Sequence, residues 1–414
     1  MGISSKDNNQ NRRTFLNDPS TVDPDHQRRV YSDVTQLIAS LENPTPLVRI
    51  TRVNPTEGFQ IYLKLERYNP FGSIKDRIAY EMLKGLDRGD KTIIEPSSGN
   101  TGIALVSLAN ALRIPIEIVV PKGVPEEKKI MLRLLGAKVI ETDDSLCPLF
   151  PTEGARGLVN ALIKSPATKG MYVSPNQYEN ELNVLAHYKT TGPEIWWQTG
   201  GKLDYFFAGM GTCGTITGVG KYLKEQNQNI KIIGVEPAAS DHKLPGLKRI
   251  SELSEEFKPK ILDESIIDEI VSVTDTDAYR TVMDLGRKEG ILVGPTSGAI
   301  LYAALKYGKS HQGQAVAISP DDAFKYASFY KEFLDREATE NKPLEELDLS
   351  GLVCPLSKIK ANEFIDSLAN GDNGKLLIGD KDSLKSIAFE LKTRGIKAEF
   401  NKDEGHYAIS FTKQ

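Results

Sequence analysis

Cysteine is scarce in this chain. The 414 residues hold three, Cys147, Cys213 and Cys354, widely separated. An odd, sparse set excludes a disulfide framework and points to a reducing compartment. The five histidines show no metal-ligand spacing, so no metal centre is expected. No apolar run is long enough to span a membrane. The opening Met1-Gly2-Ile3-Ser4-Ser5-Lys6 lacks the apolar core of a secretion signal, and Lys6 stands where a myristoylation motif takes Ser or Thr. Blocks of one charge are missing too. The formal net charge is −4 with 26% charged residues, which argues against a nucleic-acid or membrane-surface partner. A cytoplasmic protein is expected.

What is present is enough chain for two or three domains with sizeable cores. Residues 1 to about 26 are polar and read as a loose arm. The spacing of Val30, Val34, Leu37, Ile38 and Leu41 predicts a helix from Gln27 to Leu41. From Asn43-Pro44-Thr45-Pro46 onward, short apolar runs alternate with helical patterns, as in Ile116–Val120, Glu126–Leu135 and Lys138–Glu141. That βαβα order predicts an α/β fold with parallel sheets and helices on both faces. Ligands of such sheets sit at the carboxyl ends of strands. Residues 251–267 read as an exposed excursion, and 336–346 as a helix end and linker.

Several strand–turn–helix joints carry residues suited to chemistry. In Asn69-Pro70-Phe71-Gly72-Ser73-Ile74-Lys75-Asp76-Arg77, Pro and Gly turn the chain and Ser73 is a candidate N-cap. Lys75 then falls in the first helical turn, where the helix dipole disfavours a cation and eases deprotonation. Glu95-Pro96-Ser97-Ser98-Gly99-Asn100-Thr101-Gly102 is an anion nest of small residues opening a helix. Gly209-Met210-Gly211-Thr212-Cys213-Gly214-Thr215 follows the strand-like Tyr205-Phe206-Phe207, and its glycines allow close approach to a phosphate. Gly294-Pro295-Thr296-Ser297-Gly298 opens another helix. A dinucleotide fingerprint competes for the 209–215 stretch, but no acidic partner stands at the expected strand end.

These motifs, in this order, resemble those of the cysteine synthase and cystathionine β-synthase family, a branch of the pyridoxal-phosphate enzymes of fold type II. The resemblance spans about residues 44 to 330. It implies two parallel-sheet α/β subdomains with pyridoxal 5'-phosphate between them, in a catalytic domain of residues 44–335. It implies that Lys75 holds the cofactor as a Schiff base and serves as general base. Ser97, Ser98, Gly99, Thr101 and Gln177 would grip the substrate carboxylate, and Asn100 the ring oxygen. Gly211, Thr212, Cys213, Gly214 and Thr215 would cradle the phosphate. Cys213 stands where the family has glycine, so it should avoid a positive φ or shift the loop; a packed role is favoured over a redox one. Thr296 would meet the pyridine nitrogen as a neutral partner, which suits β-elimination over transamination. His187, in a helical pattern, is read as structural.

The reaction implied is β-replacement through an aminoacrylate, with sulfide or a carrier-bound sulfur as nucleophile. The resemblance implies O-acetylserine, O-phosphoserine or serine itself as the substrate that loses its β-substituent. Phosphoserine-using relatives carry an arginine near Asp241–Ile250, so Arg249, with Lys243 and Lys248 beside it, is the candidate phosphate ligand. Cystathionine β-synthase or dehydratase chemistry, or a non-catalytic sulfur-trafficking scaffold, remain alternatives. Relatives are usually homodimers.

Residues 347–414 form a second pattern, βαβαββ, expected as a small two-layer sandwich. Gly351-Leu352-Val353-Cys354-Pro355-Leu356-Ser357 resembles the TusA/SirA-like sulfurtransferase signature, with Ser357 in place of its second proline. That resemblance implies a persulfide-carrying Cys354 at a helix N-terminus.

Overall fold

A computed structural model describes residues 30–97, 99–124, 126–143, 152–340, 344–403 and 405–413. Ser98, Cys147, the whole N-terminal arm and the first residues of the predicted 27–41 helix lie outside them. The chain divides into two compact units, Met1–Tyr326 and Ala327–Gln414.

Among the described residues the first unit carries ten strands: β1 (Leu47–Ile50), β2 (Phe59–Leu65), β3 (Thr92–Pro96), β4 (Ile116–Pro121), β5 (Lys138–Thr142), β6 (Tyr172–Val173), β7 (Tyr205–Gly209), β8 (Lys231–Pro237), β9 (Glu269–Val273) and β10 (Gly313–Ser319). Its helices are α1 (Lys75–Gly85), α2 (Asn100–Ala111), α3 (Glu126–Leu134), α4 (Gly154–Lys164), α5 (Leu182–Ala186), α6 (Gly192–Gln198), α7 (Gly214–Gln226), α8 (Asp275–Glu289) and α9 (Pro295–Gly308). One sheet runs β1-β2-β10-β7-β8-β9 and the other β5-β4-β3-β6. All neighbours are parallel except β1 with β2.

The residue pattern explains the layering. In the smaller sheet, Ile93, Ile118 and Val120 face one way and pack with Ala104, Leu105 and Leu108 of α2. Ile94 and Val119 face the other way, onto Ala155 and Val159 of α4. Alternate residues of a strand point to opposite faces, so a sheet covered on both sides needs apolar residues throughout. The larger sheet obeys the same rule: Phe206, Phe207, Ala208, Ile232, Ile233, Ala315, Val316 and Ala317 are fully buried.

The helix predicted from Gln27 to Leu41 is not formed among the described residues. Only Val34–Leu37 makes a short 3-10 turn, capped by Asp33. Leu37 O, which such a helix would use internally, instead accepts from Asn43 (3.2 Å), and Ala39 O near its expected end accepts from Arg77 (3.3 Å). The 251–267 excursion carries short 3-10 turns and is anchored by buried Ile261.

The second unit opens with α10 (Ala327–Glu340), which is continuous through residue 335, so no break in secondary structure falls at the expected boundary. Then follow β11 (Leu344–Leu349), α11 (Leu356–Ser367), β12 (Asn373–Ile378), α12 (Lys381–Thr393), β13 (Ala398–Asp403) and β14 (His406–Thr412). The sheet order is β11-β12-β14-β13, and β13 and β14 form the expected hairpin. Leu376, Ile378, Ile409 and Phe411 of the sheet pack with Ala361, Ile365, Ile387 and Leu391 of the two helices, giving two layers.

Candidate functional site

Between the two sheets of the first unit lies a cavity of about 320 Å³, reached by loops at the carboxyl ends of β3, β7 and β10. Lys75 lines it. The turn that carries Lys75 is built locally: Gly72, at φ +77°, donates to Asn69 O (2.9 Å). Ile74 N then donates to Pro320 O (2.9 Å), tying the turn to the end of β10. The helix cap is Ile74 rather than the expected Ser73, whose hydroxyl instead accepts from Lys75 N (3.2 Å). Burial pushes the Lys75 amine down to about 8, against the pull of Cys213 and Asp321.

The 97–102 loop faces Lys75 across the cavity. Ser97 Oγ accepts from Gly102 N (2.9 Å), and a Cβ on Gly102 would stand 2.8 Å from Ser97 O. Thr101 donates its hydroxyl to Gln177 Oε1 (2.7 Å). That choice leaves the Gln177 amide nitrogen as the donor available to an anion. Asn100 donates to Asp321 Oδ2 (2.6 Å) and accepts from Lys325 Nζ (3.0 Å), which fixes its amide orientation. Asp321 is buried, and its Oδ1 has no hydrogen-bond partner. Neither Asp321 nor Lys325 was singled out in the sequence, because no motif joins them to Lys75; the fold does.

At the end of β7, Gly211 and Gly214 leave room that other residues would fill. A Cβ on Gly211 would stand 2.2 Å from Gly246 O, and one on Gly214 1.9 Å from Asn183 Oδ1. Cys213 lies between them at φ +66°, contrary to the expectation that it avoids this region. The turn into α7 requires a left-handed residue there, and cysteine takes it at a cost of roughly 1–2 kcal/mol. Its thiol lines the cavity, is otherwise buried, and burial pushes it up to about 12. A thiol held protonated favours the packed role over a redox one.

His187 contributes more than its sequence pattern suggested. It is fully buried in a single π-helical turn, His187–Thr191, with Nδ1 2.9 Å from Thr191 Oγ1 and Nε2 3.1 Å from Thr215 Oγ1. Burial and the nearby Lys75 lower it to about 3, so it is neutral. It therefore orients a hydroxyl of the glycine loop.

Thr296 lines the cavity and donates to Pro245 O (2.7 Å). Arg249 does not reach the cavity: it pairs with Glu252 (2.8 Å) on the following turn. Lys248, one residue earlier, lines the cavity with Lys128 of α3. A one-residue change of direction along an irregular loop reverses which side chain points inward, and the sequence carries no periodicity to reveal it.

Cys354 belongs to the second unit, where it is exposed two residues before α11. Val353, Leu356 and Ile359 are also exposed. Ser357 is fully buried and hydrogen-bonded to Ser383 (2.7 Å), so the motif's departure from proline is taken up by a bond between the first turns of α11 and α12.

The arrangement suits a phosphorylated aldehyde. It offers one easily deprotonated amine, a glycine cradle at a helix N-terminus, and hydroxyl and amide donors facing one another. Comparison with known proteins agrees. Residues 38–321 match the model of the pyridoxal-phosphate dependent enzyme family, and residues 345–413 that of sulfurtransferase TusA. A cysteine synthase of Aquifex aeolicus is 40% identical over 309 residues, 72% of this chain and 92% of that protein. An O-acetylserine dependent cystathionine beta-synthase of Bacillus subtilis is 35% identical over 308 residues, 72% of this chain and 97% of that protein. The crystal structure of a cysteine synthase from Entamoeba histolytica superimposes with a TM-score of 0.65 at 30% identity, covering 74% of this chain and 92% of its own.

Proposed function

The chain belongs to the family of pyridoxal-phosphate dependent enzymes and ends in a TusA sulfurtransferase domain, and we propose that it makes L-cysteine by β-replacement on an O-activated L-serine. The observation that carries this reading is one cavity holding a low-pKa amine, Lys75, opposite the paired Thr101 and Gln177 and beside the glycine cradle of α7. Pyridoxal phosphate, when bound, supplies the electron sink that makes the α-proton acidic and lets the β-substituent leave.

The residues divide the work as follows. Lys75 would hold the cofactor through its amine and, when that amine is free, would take the α-proton and later return it. An amine lowered to about 8 retains enough basicity while staying partly unprotonated near neutral pH. Gly211, Thr212, Cys213, Gly214 and Thr215 hold the phosphate, with Thr215 oriented by His187. Asn100, clamped by Asp321 and Lys325, donates to the ring oxygen. Thr296 is the neutral partner of the ring nitrogen. Ser97, Gly99, Thr101 and Gln177 bind the substrate carboxylate, Gln177 through its amide nitrogen.

Two ammonium groups lining the cavity, Lys128 and Lys248, favour a dianionic leaving group and thus O-phospho-L-serine over O-acetyl-L-serine. Turnover of the two substrates, measured side by side, tests this. Lys248→Ala should raise KM for O-phosphoserine at least tenfold and leave KM for O-acetylserine within twofold. Equal effects would remove the phosphate role. Lys75→Ala should lose the cofactor that borohydride fixes in the wild type. We further propose that the enzyme is a cytoplasmic homodimer, and that Cys354 carries sulfur as a persulfide. A small thiol would release that sulfur as sulfide, leaving a mixed disulfide that a second thiol resolves. Tethering raises the local sulfide supply. Cys354→Ser should then slow thiosulfate-driven synthesis and spare sulfide-driven synthesis.

A further inference from the structure

Glu95 is the penultimate residue of β3 and is 1% exposed. A carboxylate in such a position is costly unless strongly hydrogen-bonded. It meets that condition by accepting from three groups of one short segment: Ser174 Oγ (2.7 Å), Asn176 N (3.0 Å) and Gln177 N (3.3 Å). That segment turns at Asn176, φ +50°, in the left-handed region that asparagine enters more readily than other residues with a side chain, and the bonds to Glu95 hold the turn. Directly after this turn residue comes Gln177, whose side chain accepts from Thr101 (2.7 Å). Its carbonyl accepts from Asn183 Nδ2 (2.7 Å), which also reaches Thr212 Oγ1 of the glycine loop (3.2 Å).

We infer that Glu95 is a positioning residue for the substrate carboxylate: it holds the 174–177 turn so that Gln177 stays locked to Thr101 and presents its amide nitrogen to the cavity. The inference rests on the reading that Thr101 and Gln177 bind that carboxylate. Glu95 itself is not among the described residues that line the cavity. A residue that served only as a strut would affect every substrate alike. A residue that sets the carboxylate contacts acts on substrates that have a carboxylate.

Glu95→Gln is the direct probe. It keeps size and one acceptor but turns an N–H₂ towards groups that are themselves donors, so the segment cannot keep all three bonds. The measurement is kcat/KM, in the cofactor-loaded full chain, for the O-activated L-serine and for its α-carboxamide. The variant should lose at least tenfold with the acid, chiefly in KM, and at most twofold with the carboxamide. Ser174→Ala, which removes one of the three bonds, should shift the same acid-to-amide ratio by about two- to fivefold, and it covers the case in which Glu95→Gln does not fold. Equal losses with acid and carboxamide, or an unchanged ratio in Ser174→Ala, overturn the inference. A wild type that fails to prefer the acid overturns the carboxylate assignment itself, and the two failures are distinguishable.

Discussion

Replacing Glu194 by alanine should destabilise the first unit by about 3–5 kcal/mol, the range for removing one partner from a buried ion pair. Glu194 on α6 belongs to a neutral cluster of four fully buried charges, with Lys64, Glu66 and Arg77. Its carboxylate accepts from Lys64 Nζ (2.6 Å), from Arg77 Nη1 and Nη2 (2.8 Å for Nη2), and from Thr45 N (3.2 Å). Without it, Arg77 keeps Glu66 and Lys64 keeps only Thr45 O and Gln198 (2.8 Å each), so one positive charge is left uncompensated. The double variant Lys64→Met/Glu194→Gln restores neutrality and should recover at least half of the loss, since charge rather than volume is then the defect. Urea unfolding is a suitable assay, read by the fluorescence of Trp196 and Trp197, which share α6 with Glu194. The pH dependence has a sign. Burial lowers Lys64 below its ordinary 10.5, against the pull of Glu194 and Glu66, so keeping the ammonium charged costs the fold stability below 10.5, and that cost fades as pH rises towards 10.5. Loss of Glu194 lowers Lys64 further, so the penalty should shrink as pH rises towards 10.5. A single-variant cost under about 1 kcal/mol, or a double variant no more stable than Glu194→Ala, would refute the reasoning. Because Arg77 lies two residues beyond Lys75 on α1, activity should fall with stability.

Two further outcomes follow from burial. Burial lifts Asp76 to about 7, even though Phe71 N (2.7 Å) and Ser73 stabilise its ionised form. A raised carboxyl stabilises the fold at low pH, and that contribution is lost as pH rises through about 7. Asp76→Asn keeps an acceptor for Phe71 N without the charge, so its Tm should fall less than the wild type's as pH rises from 3.8 to about 7; parallel profiles over that range would contradict this. In the second unit, Ser357→Ala leaves the buried Ser383 hydroxyl without its partner and should cost about 1–3 kcal/mol, measured by hydrogen exchange along α11 and α12. Ser357→Ala/Ser383→Ala should recover most of that loss, and a double variant no better than the single would contradict the pairing.

Much of the architecture was legible in the residues. The continuous apolar run Phe206-Phe207-Ala208 announces a strand covered on both faces, and it lies at the centre of the larger sheet. The glycine-rich turns after β3 and β7 mark where backbone must approach closely, and both turns line the cavity. The helical spacing before Leu41 misled, because Leu37 O is claimed by Asn43 rather than by the next turn, and Ala39 O by Arg77. Periodicity reports which faces are apolar. It does not report a competing side chain brought in from elsewhere in the chain.

The sequence by itself determined the elements, their order, the turns and the motifs that name the family, because these depend on local propensity and on spacing along the chain. Tertiary structure alone decided that Lys248 rather than Arg249 lines the cavity, that Asp321 and Lys325 clamp Asn100, that Cys213 adopts a left-handed turn, and that Glu95 holds Gln177. The physical reason is separation: Asn100 and Asp321 stand 221 residues apart, and Glu95 and Gln177 82. A pattern read along the chain cannot carry a contact made across it.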